Sequence, residues 1–395
     1  MNRGSELVVG VVGAGAMGSG IAQVATLAGH RVVLGDVNPE AVQRAQGSIA
    51  KALAREVEKG RLDQASAVAA TSRITAAGDL GQGYAAYAPC GFVIEAVLED
   101  LAVKRALFAA LEKVVAPDCV LATNTSSLSV AAIAGGCSAA ERVVGVHFFN
   151  PAPLMPLVEI VPAITTSAEV TEAARALVAG WRKTVVLATD TPGFIVNRIA
   201  RPFYGESLRL LEEGVADAAT IDWAMRELGG FRMGPFELMD FIGNDVNFAV
   251  TMSVFEAFFY DPRYRPSLTQ RRLVEAGLLG RKRQRGYYDY RESAVKPAPS
   301  EDRVLGQTIV DRVLAMLVNE ACEAVLARVA SPADIETSML KGVNYPKGLL
   351  AWGDEIGAAK ILARLEALQQ EYGEDRYRPS PWLRRRVRAG ERLLA

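Results

Sequence analysis

Two ionisable residues, His147 and Glu159, stand where buried strands are expected, and together they could accept a proton. Residues 143–161 read VVGVHFFNPAPLMPLVEIV: two apolar, β-branched runs joined by a proline-rich turn, with His147 closing the first and Glu159 interrupting the second. Runs of this kind read as successive buried strands of a parallel sheet. A carboxylate inside an apolar strand is costly unless paired or hydrogen-bonded, and an imidazole at a neighbouring strand end is a natural partner. Read as a couple, the acid orients the ring and supports it as a general base near neutral pH. The plainer alternative is a core histidine and an unrelated glutamate, so the elements that position them decide.

Residues 7–12 form a continuous apolar run that ends in Gly13-Ala14-Gly15-Ala16-Met17-Gly18. Ile21, Val24, Ala25 and Ala28 then recur at helical spacing until Gly29 supplies a C-cap. Strand, glycine turn and helix is the context in which GxGxxG binds a dinucleotide. Gly13 permits the tight turn, Gly15 lets the backbone approach a pyrophosphate, and Gly18 lets helix and strand pack closely. A second strand, residues 31–34, ends at Gly35-Asp36, which places an acid near the ribose hydroxyls. Asp36 repels a 2′-phosphate and no arginine follows immediately, so NAD is favoured over NADP. His30, the other histidine, reads as a solvated loop residue.

Three more strands are expected, and each ends in polar residues. Residues 92–97 contain Glu95 and lead to Glu99; residues 119–122 lead to Thr123-Asn124-Thr125-Ser126-Ser127; residues 143–146 lead to His147 and Asn150. Ligands of open parallel sheets sit outside the carboxyl ends of the strands, which would bring these groups together, with Ser126 and Asn150 beside His147. A turn-forming role alone is the alternative for TNTSS. Residues 39–71 are helical in pattern and read as a hairpin inserted over the cleft. Its Lys51, Arg55, Lys59 and Arg61 could meet the phosphates of a bulky anionic substrate or simply face solvent.

Residues 184–188 read as the last strand of the first domain, and residues 189–193 as the hinge into a long helix with Asn197 in its first turn. The C-terminal half repeats itself. EEGVADAATIDWAM (212–225) is echoed by LARVASPADIETSM (326–339), and Asp261-Pro262-Arg263-Tyr264-Arg265-Pro266-Ser267 by Glu374-Asp375-Arg376-Tyr377-Arg378-Pro379-Ser380. The second copy lacks the Gly286-Tyr287-Tyr288 ending of the first and reads as structural. The expected domains are therefore 1–190 for the dinucleotide, 191–290 for substrate and dimerisation, and 303–395 for the second helical copy.

A chain of 395 residues is too long for one core, and with half its residues hydrophobic it can bury several. The formal net charge of −1 argues against a nucleic-acid partner. Four cysteines without CxxC or Cys/His spacing argue against a bound metal and against disulfides, and point to a reducing cytoplasm. No apolar stretch is long enough to span a bilayer, and the N-terminal residues leave no room for a signal peptide.

Taken in order, GAGAMGSGIA, EAVLEDLAVK, TNTSSL, HFFNPAPLMPLVEIV, DTPGFIVNR and MGPFELMD resemble the L-3-hydroxyacyl-CoA dehydrogenases. The resemblance implies a Rossmann-type doubly wound α/β sheet with a helical hairpin insertion, followed by an all-α C-terminal part with an internal repeat. It implies hydride transfer from C3 of an L-3-hydroxyacyl-CoA to NAD, with His147 as base, Glu159 as its partner, and Ser126, Asn150 and Asn197 around the substrate. It also implies that Gly13, Gly15, Ala16, Met17, Gly18, Asp36, Glu95, Glu99 and Lys104 line the NAD site.

Within that family, the form with an appended helical repeat looks like the enzymes of phenylacetate breakdown that act on 3-hydroxyadipyl-CoA. Arg232 is then a candidate receptor for a distal carboxylate. Oxidation of short-chain 3-hydroxybutyryl-CoA, a dehydrogenase of free hydroxy acids, and a non-catalytic NAD-binding relative are the alternatives. The helical half could pair between chains as a homodimer or within one chain as a pseudo-dimer.

Overall fold

In the computed structural model, which describes residues 7–394, the apolar runs of the N-terminal half become strands. They are β1 (Val8–Val12), β2 (Arg31–Gly35), β3 (Ile74–Ala76), β4 (Phe92–Glu95), β5 (Val120–Thr123), β6 (Val143–Phe148), β7 (Leu157–Pro162) and β8 (Thr184–Leu187). The sheet order is β3-β2-β1-β4-β5-β6-β7-β8, so the chain reverses its direction of winding between β1 and β4. That reversal opens the crevice in which doubly wound sheets bind nucleotides. The expected fold class is the one observed. No helix of the described residues is long and apolar enough to cross a membrane.

Two features of the sheet differ from the expectation. The first is β3, a three-residue edge strand with two exposed positions, too short to leave an alternating pattern. The second is β7, which pairs antiparallel to β6 rather than continuing the parallel series. The physical reason is length. Eight residues separate Phe148 from Leu157, whereas a parallel crossover needs a dozen or more.

Helices α1 (Ala16–Leu27), α2 (Pro39–Glu58), α3 (Gln64–Ser72), α4 (Leu101–Glu112), α5 (Val130–Ala134) and α6 (Ala168–Gly180) accompany the sheet. The inserted hairpin is α2 and α3. Asn38 caps α2 through the Glu40 N–H with Pro39 following it, and Val42, Ala45, Ile49 and Leu53 form the buried stripe. Burying each large aliphatic of that stripe stabilises the fold by about 1.5–3 kcal/mol.

His30 is buried, not solvated: it is 6% exposed, its Nδ1 donates to the Leu7 carbonyl at 3.1 Å, and its ring lies 5.9 Å from that of Trp181. Burial lowers its pKa below 6.5. The folded chain therefore holds fewer protons at this site than the unfolded chain once pH drops below 6.5. The stabilisation is complete above that value and is lost as pH falls through it. Thermal melts from about pH 7 to about pH 5 should show a shallower acid loss of Tm in His30→Gln than in the wild type. Equal slopes would remove His30 from the account.

The compact N-terminal unit ends at Thr191 and a second begins at Pro192. The second contains α7 (Val196–Ile199), α8 (Arg201–Glu212), α9 (Ala218–Trp223), α10 (Pro235–Ile242), α11 (Asn244–Ala257) and α12 (Leu268–Glu275). It continues with α13 (Arg303–Leu326), α14 (Pro332–Gly342), α15 (Leu349–Ile356), α16 (Ala358–Tyr372) and α17 (Pro381–Ala389). The two sequence copies thus share one unit, with α13 packed along α8.

Their buried contacts are reciprocal. Glu320 of the second copy accepts from Arg198 Nε at 2.7 Å and from the Tyr264 hydroxyl at 2.6 Å, both in the first copy. Glu206 of the first copy accepts from Arg312 Nε at 2.6 Å and from the Tyr377 hydroxyl at 2.8 Å, both in the second. Residue i meeting j while the equivalent of j meets the equivalent of i is the signature of a two-fold interface, here within one chain. The endings also correspond. Asp240 accepts the backbone N–H groups of Tyr287 and Tyr288, and Asp354 accepts those of Leu393 and Leu394. The second copy therefore keeps the lock that Gly286-Tyr287-Tyr288 provides in the first, through a different sequence.

Candidate active site

Strand register lines up the functional segments. Gly35, Val12, Glu95, Thr123 and Gly145 are successive partners across β2, β1, β4, β5 and β6, at the carboxyl ends of these parallel strands. Asp36, the glycine turn, the loop to Glu99, TNTSS and His147 each follow that row within a few residues. The sheet thus delivers all of them to one edge.

His147 and Glu159 face each other directly across the antiparallel pair. Opposed residues project on the same face, so the side chains meet: Nδ1 lies 2.6 Å from Glu159 Oε2, with His147 5% exposed and Glu159 0%. A one-residue slip would turn one of them to the opposite face, so the hairpin register fixes the couple. An ionised carboxylate can only accept, which assigns the hydrogen to Nδ1 and the lone pair to Nε2. The His147 ring also packs on Phe149 at 4.5 Å.

The glycine turn fits a dinucleotide. Gly13 has φ +102°, and a Cβ there would stand 2.4 Å from the Ala96 carbonyl oxygen. A Cβ on Gly18 would stand 1.7 Å from the Gly13 oxygen. Gly15 begins α1 with no side-chain cap, and nothing lies within 4 Å of where its Cβ would be. An uncapped helix N-terminus behind an open cradle suits a pyrophosphate. Asp36 accepts the Ala14 N–H at 2.8 Å and the Asn38 N–H at 2.9 Å, so it is fixed beside the turn. Ala14, Gly15, Ala16, Asp36, Arg44 and Pro153 are among the residues lining a cavity of about 760 Å³ between this turn and α2. His147 and Glu159 are not among them. Of the hairpin cations, Arg61 is held by Glu56 at 2.6 and 2.8 Å.

Glu95, Lys104 and Glu99 form one network, with Glu95 and Lys104 buried and Glu99 at its exposed end. Lys104, 1% exposed, places Nζ 2.6 Å from Glu95 and 3.1 Å from Glu99. Glu95 also accepts the Val97 N–H and the Thr123 hydroxyl, each at 2.7 Å. Glu99 accepts from the Thr125 hydroxyl at 2.6 Å and from the N–H groups of Ser126 and Ser127 at 2.9 and 3.2 Å. Although burial opposes it, the Lys104 ammonium and these hydrogen bonds hold the Glu99 carboxyl below the usual carboxylate range. The lysine thus joins two carboxylates that together fix the TNTSS loop.

Ser126 is tied to Glu99 through its own N–H and hydroxyl. Asn150 is exposed in the turn after β6, before a cis proline peptide. Asn197 belongs to the helical unit, where its carbonyl accepts from Arg201 Nε at 2.7 Å. One participant has no signal of its own in the spacing: Asn124 Oδ1 accepts the Phe148 N–H at 2.8 Å and fastens β5's end to the residue after His147. Only its membership in TNTSS hints at it.

The model of the 3-hydroxyacyl-CoA dehydrogenase NAD-binding domain matches residues 8–191, and that of the C-terminal domain matches twice, at 193–290 and 309–392. The chain is 40% identical to the 3-hydroxyadipyl-CoA dehydrogenase of Escherichia coli K12, covering 96% of this chain and 97% of that one. The alignment runs over 464 positions, so the relative has residues with no counterpart here. A 3-hydroxybutyryl-CoA dehydrogenase of Bradyrhizobium diazoefficiens is 43% identical over 292 residues, covering 74% of this chain and 97% of that one. The crystal structure of a 3-hydroxybutyryl-CoA dehydrogenase from Escherichia coli K12 superposes with a TM-score of 0.91 at 39% identity, covering 97% of this chain and 98% of that one.

Proposed function

Since the chain belongs to the 3-hydroxyacyl-CoA dehydrogenase family, we propose that His147, held by Glu159, accepts the hydroxyl proton as an L-3-hydroxyacyl-CoA is oxidised. The observation that carries this reading is the buried 2.6 Å contact between the two side chains at the carboxyl edge of the sheet. Bound NAD supplies the acceptor, nicotinamide C4, for the hydride that leaves C3. The hydroxyl proton passes to His147 Nε2, and Glu159 stabilises the imidazolium that forms. C3 becomes the ketone carbon of the product.

Gly13, Gly15, Ala16, Met17, Gly18 and Asp36 are the residues that hold the dinucleotide in this reading, Ser126 and Asn150 hold the substrate oxygen, and Asn197 is a substrate-side residue of the helical unit. Glu95, Lys104 and Glu99 support the cofactor side by fixing the loop that carries Ser126. We take 3-hydroxyadipyl-CoA as the substrate. The full-length likeness to a dehydrogenase named for it supports this, as does the helical repeat shared over that length. The likeness to 3-hydroxybutyryl-CoA dehydrogenases supports a short-chain thioester as the second reading. The reciprocal Glu206 and Glu320 contacts support pairing of the helical copies within the chain rather than between chains. We divide the chain accordingly into a dinucleotide domain, a substrate-side helical copy and a supporting copy, and place it in the cytoplasm on its free cysteines.

A substrate panel read by NADH absorbance tests the reading. NADH should form from 3-hydroxyadipyl-CoA and 3-hydroxybutyryl-CoA, but not from the free hydroxy acids, and faster with NAD than with NADP. No NADH from any 3-hydroxyacyl-CoA would contradict the reaction, and equal rates with NADP would contradict the role of Asp36.

A further inference from the structure

Arg201, at the start of α8, is 7% exposed, and among the described residues no carboxylate pairs with it. The other buried arginines contrast with it. Arg198 and Arg263 lie on Glu320, Arg312 and Arg376 on Glu206, and Arg142 near Glu112. Arg201 donates Nε to the Asn197 carbonyl at 2.7 Å and Nη1 to the Thr251 hydroxyl at 3.1 Å, and its guanidinium lies 5.0 Å from the Tyr204 ring. A guanidinium carries five N–H donors, so most of its capacity is unused, and burying a cation without an opposing charge is unfavourable.

A second observation is independent of the first. The Tyr345 hydroxyl is sealed from solvent with no hydrogen-bond partner among the described residues. Tyr345 and Tyr204, the ring beside Arg201, both pack on Phe203, at 5.8 and 5.5 Å. The Tyr345 ring packs on Phe203 and Phe231, at 5.8 and 5.0 Å, and Phe231 packs on Trp352. A cation with spare donors, an orphaned phenol and an aromatic wall together match an anionic group at the end of a hydrocarbon chain. A carboxylate, planar and able to take two parallel N–H donors, fits one guanidinium better than a phosphate dianion, which calls for more than one cation.

We propose that Arg201 and Tyr345 receive the distal carboxylate of a dicarboxylic acyl chain and so set the acyl-CoA that this protein prefers. The inference rests on the oxidation of a 3-hydroxyacyl-CoA proposed above. Arg201 lies one helical turn beyond Asn197, the substrate-side residue of that reading. Tyr345 comes from the second helical copy, which gives that copy a part in recognition beyond support. Arg232 is exposed, and among the described residues no side-chain hydrogen bond or ion pair holds it in place.

The test compares kcat/KM for 3-hydroxyadipyl-CoA with that for 3-hydroxyhexanoyl-CoA, which has as many acyl carbons and no distal carboxylate. The wild type should favour the dicarboxylic substrate. Arg201→Gln should reduce that preference about 100-fold, mainly through KM, and Tyr345→Phe about fivefold. Arg232→Ala should leave the ratio unchanged. A wild type without preference, or an Arg201→Gln protein that keeps it, overturns the proposal. If Arg201→Gln does not fold, Tyr345→Phe decides, because it retains the ring packing, and an unchanged ratio there is equally fatal. A wild type that binds NAD yet oxidises neither thioester refutes the underlying reaction, and the proposal falls with it. A normal rate on 3-hydroxyhexanoyl-CoA with no gain from the carboxylate refutes the receptor alone.

Discussion

His147→Gln is expected to lower kcat for a 3-hydroxyacyl-CoA by about 10²–10⁴-fold while leaving NAD affinity at the wild-type value. Glutamine keeps a side chain of similar reach in a site that is 5% exposed, so the loss reports the proton acceptor rather than a cavity. The selectivity for chemistry over cofactor follows from position. The cofactor cradle is built from the turn after β1 and from Asp36 after β2, whereas His147 lies within β6, one residue before its end. Steady-state NADH formation gives the first quantity and quenching of protein fluorescence by NADH the second. A variant that loses NAD binding in proportion to kcat would place His147 in the scaffold.

The second large effect belongs to the helical unit. Glu320→Ala is expected to destabilise it by about 3–5 kcal/mol, because removing one partner of a buried ion pair strands the other. Here Arg198, Arg263 and the Tyr264 hydroxyl lose their shared acceptor at once. For a unit of this size the loss corresponds to a fall in Tm of about 10 °C. Glu366→Ala removes a surface partner of Arg384 on α16 and should change Tm by about 1 °C or less. Calorimetric melts compare the two directly. Equal small shifts would mean that the reciprocal contacts contribute little to joining the copies.

Both results depend on features of different legibility. The glycine turn, Asp36 and the His147–Glu159 couple could be read from sequence because each breaks an otherwise apolar pattern in a way that only pairing or ligand binding explains. The helical repeat could be read because its words recur about 114 residues apart. Direction was not legible: apolar runs read alike in parallel and antiparallel strands, and only the short connection before Leu157 distinguishes them. His30 looked solvated because its cover, Trp181, lies far along the chain. Lys104 enters the sequence reading only through the family resemblance, because its pairing with Glu95 and Glu99 is a property of packing. Arg201 and Tyr345 have no sequence signal at all, since what marks them is a missing carboxylate and an unused hydroxyl, and both are properties of packing.

The central claim is that the imidazole and the buried acid act as one device, and a double-mutant cycle on NADH formation addresses it most directly. If Glu159 works only through His147, the His147→Gln/Glu159→Gln protein should be no slower than His147→Gln alone, although each single substitution is slow. Losses that multiply in the double variant would contradict the account, because they would show two side chains contributing independently.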